Sequence, residues 1–404
     1  MSRSARIDQE LRGLLLVPFL WAFSNSMLIP VLPLIRQEIG ISNVQAGLII
    51  TALSIPTGLL LPFTGLLSDR LGRHRVMIPG IIIYGLGGLL AGLAGKYLQE
   101  PYTAIILSRG IQGLGASATT LVAMARISDL TSGPSRISAQ GNLEAANSTG
   151  KLISPIVGSL ASLAAWYAPF FVFPVLSLVT AIYLARLKVS PGSPSSGTLN
   201  QYMSRLAHAF RVNGLTVAIT LLAGFTAILT WFGSLFLFSL VLDSTFGVTG
   251  TARGIATAIP VLVVIAASIF TVRRFPSVQP GLIAVWGFGV ILSAAVGTAF
   301  SPDLFLVRGG ILLLGAGLGI TLPALDTIIT SSVAASERGV TTALYGTVRS
   351  FGSALGPPAF ALMAGPGDSA LLVVNSLLVI AAFASLLLFL VRPFINPSKA
   401  GPRN

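Results

Sequence analysis

The sequence predicts an all-α integral membrane protein with twelve transmembrane helices in two pseudo-symmetric six-helix bundles. Three observations carry this. Of 404 residues, 53% are apolar and only 9% charged, whereas soluble domains carry about 25% charged residues. A fold of this size cannot bury that much apolar surface, so its solvent is largely lipid. The apolar residues also fall into twelve runs near the length that spans a bilayer core: 13–35, 46–67, 76–95, 102–128, 137–164, 169–187, 214–241, 252–272, 281–300, 304–331, 340–364 and 369–391. Finally, the chain repeats itself. SRISAQGNLEAANSTGKLISP (135–155) overlays ERGVTTALYGTVRSFGSALGP (337–357) at an offset of 202, pairing Arg136 with Arg338, Ser148 with Ser350 and Pro155 with Pro357. The same offset pairs Gly113 and Gly115 with Gly315 and Gly317.

Taken in order, the first run continues past Ile35 with no small-residue cleavage site. It is too long for a signal peptide and reads as a retained helix. Short loops separate the second to fifth runs and the seventh to twelfth. The long polar gap at 188–212, containing PGSPSSG, reads as a linker. The expected division is therefore a bundle over 1–187, a linker over 188–212 and a bundle over 213–404. Lys and Arg are retained on the cytoplasmic side. With the N-terminus inside, eighteen of the 25 basic residues lie in inside segments and three outside, Arg36, Lys96 and Arg253. Both termini and the linker are thus expected in the cytoplasm of a cell-membrane protein. This asymmetry accounts for the net charge of +13 without a nucleic-acid partner. The absence of Cys excludes disulfides, thiolate metal sites and Cys nucleophiles. With two His, His74 and His208, no metal site and no cofactor are expected.

Six charges lie within spans: Arg109, Lys151, Arg308, Arg349, Glu144 and Asp326. Charge there is costly and usually faces the protein interior or a water-filled cavity. Between the second and third runs stands GLLSDRLGRHR (65–75), a charged turn that belongs where a helix leaves the membrane. Its Gly65, Asp69, Arg70, Gly72 and Arg73 resemble the signature between the second and third helices of the major facilitator superfamily. In the fourth run, SRGIQGLGAS carries Arg109, Gln112, Gly113 and Gly115 and resembles that family's Arg-x-x-Gln-Gly-x-Gly signature. The resemblance implies that the buried arginine organises charge and proton movement. The alternative is a structural arginine on carbonyls, with glycines for close helix packing.

In the fifth run, Glu144, Asn147, Ser148, Lys151, Ser154 and Pro155 recur at helical spacing and draw a polar stripe down an apolar helix. Gly150, Ser154, Pro155 and Gly158 partly resemble a signature of the family's proton-coupled drug exporters, with Ser154 and Ser159 where glycines are expected. The eleventh run has Gly352, Gly356 and Pro357 but no following Gly pair. A carboxylate in a low-dielectric cavity holds its proton more tightly, and a nearby cation loosens it. Glu144 is therefore the first candidate for the coupling proton, or else a fixed ion pair with Arg109 or another helix. Asp326 is the second candidate and is placed to pair with Arg349. Many drug exporters of this type place an acid in the first span. Here Asn25 is the strongly polar side chain there.

The resemblance implies a proton-coupled antiporter of the twelve-helix drug-efflux type: two halves rocking about a central site, duplicated as in other transporters that bind at mid-membrane. It also implies that Asp69 latches one state. Asp69 is expected to cap the eleventh helix near Gly339–Thr341, with Arg73 bridging Asp69 to Asp129. Asn25, Asn147, Lys151, Tyr345, Arg349, Trp21 and Trp231 are candidates for the substrate cavity. Four cations against two acids within the spans favour a ligand with an anionic or acceptor-rich part. Thr149-Gly150-Lys151 is no phosphate loop, because Ala145 and Leu152 stand at required positions. Energy is therefore expected from a gradient. The expected partners are a small-molecule substrate, protons and the lipid bilayer, and the expected state is monomeric. A proton-coupled importer of a small metabolite and a lipid or glycolipid flippase share the architecture. A membrane enzyme would need a clustered nucleophile, base or metal site that the sequence does not offer.

Overall fold

The computed structural model describes residues 3–187, 199–299, 304–334 and 336–363. The run predicted at 369–391 lies outside them. The described elements are all helical: α1 (Arg3–Ser26), α2 (Leu32–Ile39), α3 (Asn43–Leu71), α4 (Arg73–Tyr97), α5 (Tyr102–Ser117), α6 (Thr120–Leu130), α7 (Gly133–Ser162), α8 (Val172–Arg186), α9 (Leu199–Ser244), α10 (Gly250–Arg274), α11 (Pro280–Ala299), α12 (Leu304–Ser331) and α13 (Arg338–Met363). They account for the first eleven predicted runs. Seven described segments are long and apolar enough to cross a bilayer by those criteria alone: Ile7–Ile39, Asn43–Leu71, Arg73–Tyr97, Ala168–Arg186, Asn200–Ser244, Gly250–Arg274 and Arg308–Ser331. Of the others, α7 and α13 carry polar stripes, α11 has a shorter apolar stretch, and α5 and α6 are two pieces of one predicted run.

The structure breaks two predicted helices. The first run becomes α1, a 3₁₀ turn at Ile29–Val31 and α2, with Pro30 and Pro33 removing backbone donors. The fourth breaks between α5 and α6, where the amides of Ala118 and Thr119 bond to Gly115 and Ala116, three residues back. The polar gap also differs in part from expectation. Residues 199–212 are helical and run into the seventh span across a kink at Asn213. This helix is anchored on the turn between α12 and α13: Asn213 Nδ2 donates to Ser332 O at 2.6 Å, and His208 Nδ1 meets Glu337 Oε1 at 2.5 Å.

Large apolar side chains point outward on many helices, among them Leu107, Leu178 and Phe270, as expected of a surface that meets lipid. Inside are two cores. One joins α1–α8 through Leu14, Phe23, Ile50, Met77, Tyr84 and Phe173, and the other joins α9–α13 through Val217, Trp231, Phe288, Leu318 and Tyr345. The matched glycines do matched work. Gly113 lies against Leu53 of α3 and Gly115 against Gly80 and Tyr84 of α4, while Gly315 lies against Pro260 of α10 and Gly317 against Gly287 and Ile291 of α11. A Cβ at any of the four would collide with the neighbouring helix. The internal repeat is thus visible as equivalent helix contacts in the two groups. Arg253, placed by the sequence in an outside loop, lies buried in the first turn of α10. It bonds Asp243 at 2.5 Å, and this carboxylate offsets the cost of desolvating the guanidinium.

Candidate functional site

The two helix groups meet along α3–α13 and α7–α10. At the end of the molecule bearing Gly40 and Gly247, the far end, contact is close. Gly47 packs on the backbone of Pro357 and Pro358, and Gly254 packs on Ser159 and the Pro155 carbonyl. Gln37 Nε2 donates to Asp243 Oδ2 at 2.7 Å, and Ser239 Oγ donates to Ile29 O at 2.9 Å.

Along α3–α13 two threonines cross the seam. Thr51 Oγ1 donates to Ala354 O at 2.5 Å, and Thr347 Oγ1 donates to Gly58 O at 2.9 Å. Each accepting carbonyl is four residues before a proline, Pro358 and Pro62, so each has lost its helical partner. Each helix thus frees a carbonyl that the other's threonine satisfies. Sequence reading missed this pair, although the signal was present: both helices carry Thr and Pro eleven residues apart.

The seam continues to Leu61 beside Gly346 and then opens. Gly65 and Gly339 have nothing within 4 Å of an added Cβ. At this other end, the basic end, a cavity of about 740 Å³ lies between α7 and α12. It is lined by Arg136, Gln140, Asp326, Thr327 and Thr330. Glu144 is exposed one turn beyond Gln140 on α7, with its Oε1 accepting from Asn147 Nδ2 at 3.1 Å. It is not paired with Arg109. Asp326 is 54% exposed and meets Arg349 Nη1 at 3.5 Å, the partner expected from sequence. Lys151 lies about 16 Å deeper than Gln140 along α7, and the charges of Glu144, Arg349 and Asp326 all act on it. Two cation–aromatic contacts stand here. Lys151 Nζ is 6.0 Å from the Trp21 ring centroid, and the Arg349 guanidinium is 5.3 Å from that of Tyr345. Tyr345 is held edge-on by Gly224. Trp231, also expected in the cavity, packs in the second core near Gly315.

Arg109 is fully buried within the first group. Its Nε donates to Ile49 O at 3.3 Å and Nη1 to Gln112 Oε1 at 2.6 Å. Nη2 donates to Ser24 O at 2.8 Å and Asn25 Oδ1 at 3.1 Å. Asn25 in turn donates to Ser54 Oγ at 2.9 Å. The guanidinium therefore ties α5 to α1 and α3 through neutral acceptors at the place where α1 ends. Among the described residues no carboxylate pairs with it. Gly158 and Gly356 admit close backbone approach, by Met27 and by Leu229 and Gly233 respectively.

The 65–75 turn is built as a charge relay inside the first group. Gly72 has φ +97°, a conformation that disfavours any side chain, and it joins α3 to α4 directly. Arg73 pairs with Asp69, its Nε donates to Asp129 Oδ2 at 3.2 Å and its Nη1 to Ser68 Oγ at 2.8 Å. The bridge expected from sequence is present. The cap by Asp69 on α13 is not among the described contacts, and Gly65 and Gly339 near it have no neighbour within 4 Å of an added Cβ. Nearby, Glu10 and Arg126 form a buried pair at 2.6 Å that fastens α1 to α6 and that sequence reading did not single out. Among the described residues no cluster of His, Cys, Asp and Glu could hold a metal ion.

A family profile described as Major Facilitator Superfamily matches residues 14–357. The chain is similar to the Bacillibactin exporter of Bacillus subtilis (strain 168), 29% identical over 95% of this chain and 96% of that protein. It is also similar to Multidrug resistance protein 1 of the same organism, 26% identical over 82% and 83%. Among solved structures, the human organic anion transporter MFSD10 (TETRAN) superposes with a TM-score of 0.72 at 18% identity, covering 96% of this chain and all of that one.

Proposed function

Starting from the premise that this chain belongs to the major facilitator superfamily, we propose that it is a proton-coupled exporter of amphipathic small molecules that works by alternating access. It is a transporter and not an enzyme. The observation that carries the reading is the seam: closed at the far end, open at the basic end, with Glu144, Lys151, Asp326 and Arg349 gathered where it divides. Lys and Arg mark the cytoplasmic side, so the basic end is assigned to the cytoplasm, with both termini, and the state to inward-open. The moving bodies are the halves 1–187 and 213–404. The relatives named for bacillibactin export and multidrug resistance support an outward direction.

Glu144 and Asp326 are assigned the coupling proton, and Arg109 the rigid frame behind α1. Asn25 and Asn147 line the approach to that frame and to Glu144. Asp69, Arg70, Arg73 and Asp129 form the gate that closes on α13 in the opposite state. The protein acts as a monomer in the cell membrane. One proton falling through 100 mV releases about 2.3 kcal/mol, and a pH unit adds about 1.4 kcal/mol. Together these sustain a gradient of a few hundredfold for a neutral substrate.

The test is proton release from detergent-purified protein on adding lipophilic cations, anions and zwitterions, with Glu144→Gln and Asp326→Asn alongside. Release abolished by either substitution is the expected result and identifies the coupling acid. No release with a ligand that demonstrably binds overturns proton exchange.

A further inference from the structure

The ammonium of Lys151 is the anomaly of the cleft. It sits within a span, and among the described residues it has no carboxylate within ion-pair distance and no hydrogen-bond acceptor. What lies beside it is the ring of Trp21. Across the seam, Arg349 stands in the same relation to Tyr345, reaches Asp326 only at 3.5 Å and keeps 28% of its side chain exposed. The charge of Arg349 acts on Lys151 across the seam, against the larger opposite effect of Glu144. One helix group therefore presents a cation backed by an aromatic ring, and so does the other, and the two like charges share a cleft. Like charges in a poorly solvated space raise the energy of the empty site. An anion between them lowers it. The partly exposed Trp21 ring beside Lys151 offers stacking surface at small entropic cost, since an aromatic side chain has few rotors, whereas Tyr345 is buried and backs Arg349 from the second core.

We infer that the substrate class is a planar aromatic molecule bearing at least one anionic group, stacked on Trp21 and held between the cations Lys151 and Arg349. This rests on the transporter reading above and names the ligand chemistry of the same cleft. The acids stand on the basic-end side of the same cleft: Asp326 lines the cavity there and meets Arg349 at 3.5 Å, and Glu144, whose charge acts on Lys151, lies two turns nearer that end along α7. A cation entering would meet them first but would find two positive groups deeper in. An anion gains a contact from each half, and only when both halves contribute does it have two.

The experiment uses the full-length protein in detergent, without any ion gradient, so that binding is read independently of coupling. The probes are naphthalene-2,6-dicarboxylate, its diamide and 2-naphthyltrimethylammonium, titrated by intrinsic tryptophan fluorescence and by calorimetry. The dicarboxylate is expected to bind at least tenfold more tightly than either of the others. Lys151→Met should remove about tenfold of that preference while leaving the diamide unchanged, Lys151→Arg should restore it, and Trp21→Leu should weaken all three. Arg349→Met should act on the dicarboxylate as Lys151→Met does. Tighter binding of the ammonium probe overturns the inference, as does equal loss of dicarboxylate and diamide in Lys151→Met, or no binding of any probe to a protein that melts as wild type. Dicarboxylate binding without proton release leaves this inference standing and removes the proton-coupled reading instead.

Discussion

The two ends of the molecule solve the same problem, holding two helix groups together reversibly, with opposite materials. At the far end the seam is mostly backbone: glycines against prolines, and threonine hydroxyls on carbonyls that prolines have freed. A buried charge pair, Asp243–Arg253, supports the side-chain bridge from Gln37. At the basic end the charges of Asp69, Arg73 and Asp129 are satisfied within one group, and the facing glycines stand free. Neutral, short-range contacts close tightly and need exact register. Partly exposed charges can change partners at little cost, because each exchange trades one screened interaction for another. On the alternating-access mechanism proposed above, the far end is the one shut in this state and the basic end the one re-paired in the next.

The comparison can be broken at its strongest point first. The side chains of Asp243 and Arg253 are 8% and 4% exposed, and removing one partner of a buried pair costs about 3–5 kcal/mol. Asp243→Asn should therefore unlock the far end. Because the chain has no cysteine, single reporters are clean. Ala46→Cys, buried in the first turn of α3, should pass from protected to labelled, and Gly65→Cys from labelled to protected. An unchanged pattern would remove the pair from the seam.

Next in size is Gly47→Leu. A Cβ at this glycine would lie 2.8 Å from the Pro358 nitrogen and 2.9 Å from the Pro357 carbonyl carbon, backbone atoms that cannot yield. Overpacking of about 1–3 kcal/mol should shift the same two reporters in the same direction, with most transport lost. Gly65→Leu, facing open space, should leave this state intact.

Thr347→Val and Thr51→Val should each cost about 1 kcal/mol in thermal or denaturant stability. The mechanism is sharpened by Pro62→Ala, which returns an amide to Gly58 O. In that background Thr347→Val should cost less than in the parent, and a strictly additive cycle would show that the freed carbonyl is not what the hydroxyl serves.

The smallest effect on this state is expected from Asp69→Asn. Its carboxylate is 34% exposed, and such pairs contribute about 0.2–1 kcal/mol. The melting point should barely move, yet transport should fall at least tenfold, because the proposed gate sets Asp69 against the start of α13 once the seam closes there. Full transport in Asp69→Asn would confine the 65–75 turn to a structural role.

Sequence alone determined the membrane class, the apolar runs of which eleven are now described as helices, and the internal repeat, because apolar length and small-residue spacing are local properties that lipid and helix packing read directly. It also determined the Asp69–Arg73–Asp129 bridge, since a motif with its own turn glycine folds locally. The reciprocal Thr–Pro exchange, the burial of Arg253 and the departure of Trp231 from the cleft were decided by tertiary structure. Each depends on which helix lies opposite, and a helix's periodicity says which of its faces is polar but not whose carbonyl, ring or carboxylate will meet it. The same holds for Lys151. Its charge was visible in the sequence, but its lack of a counterion became visible only when the described helices around it were in place.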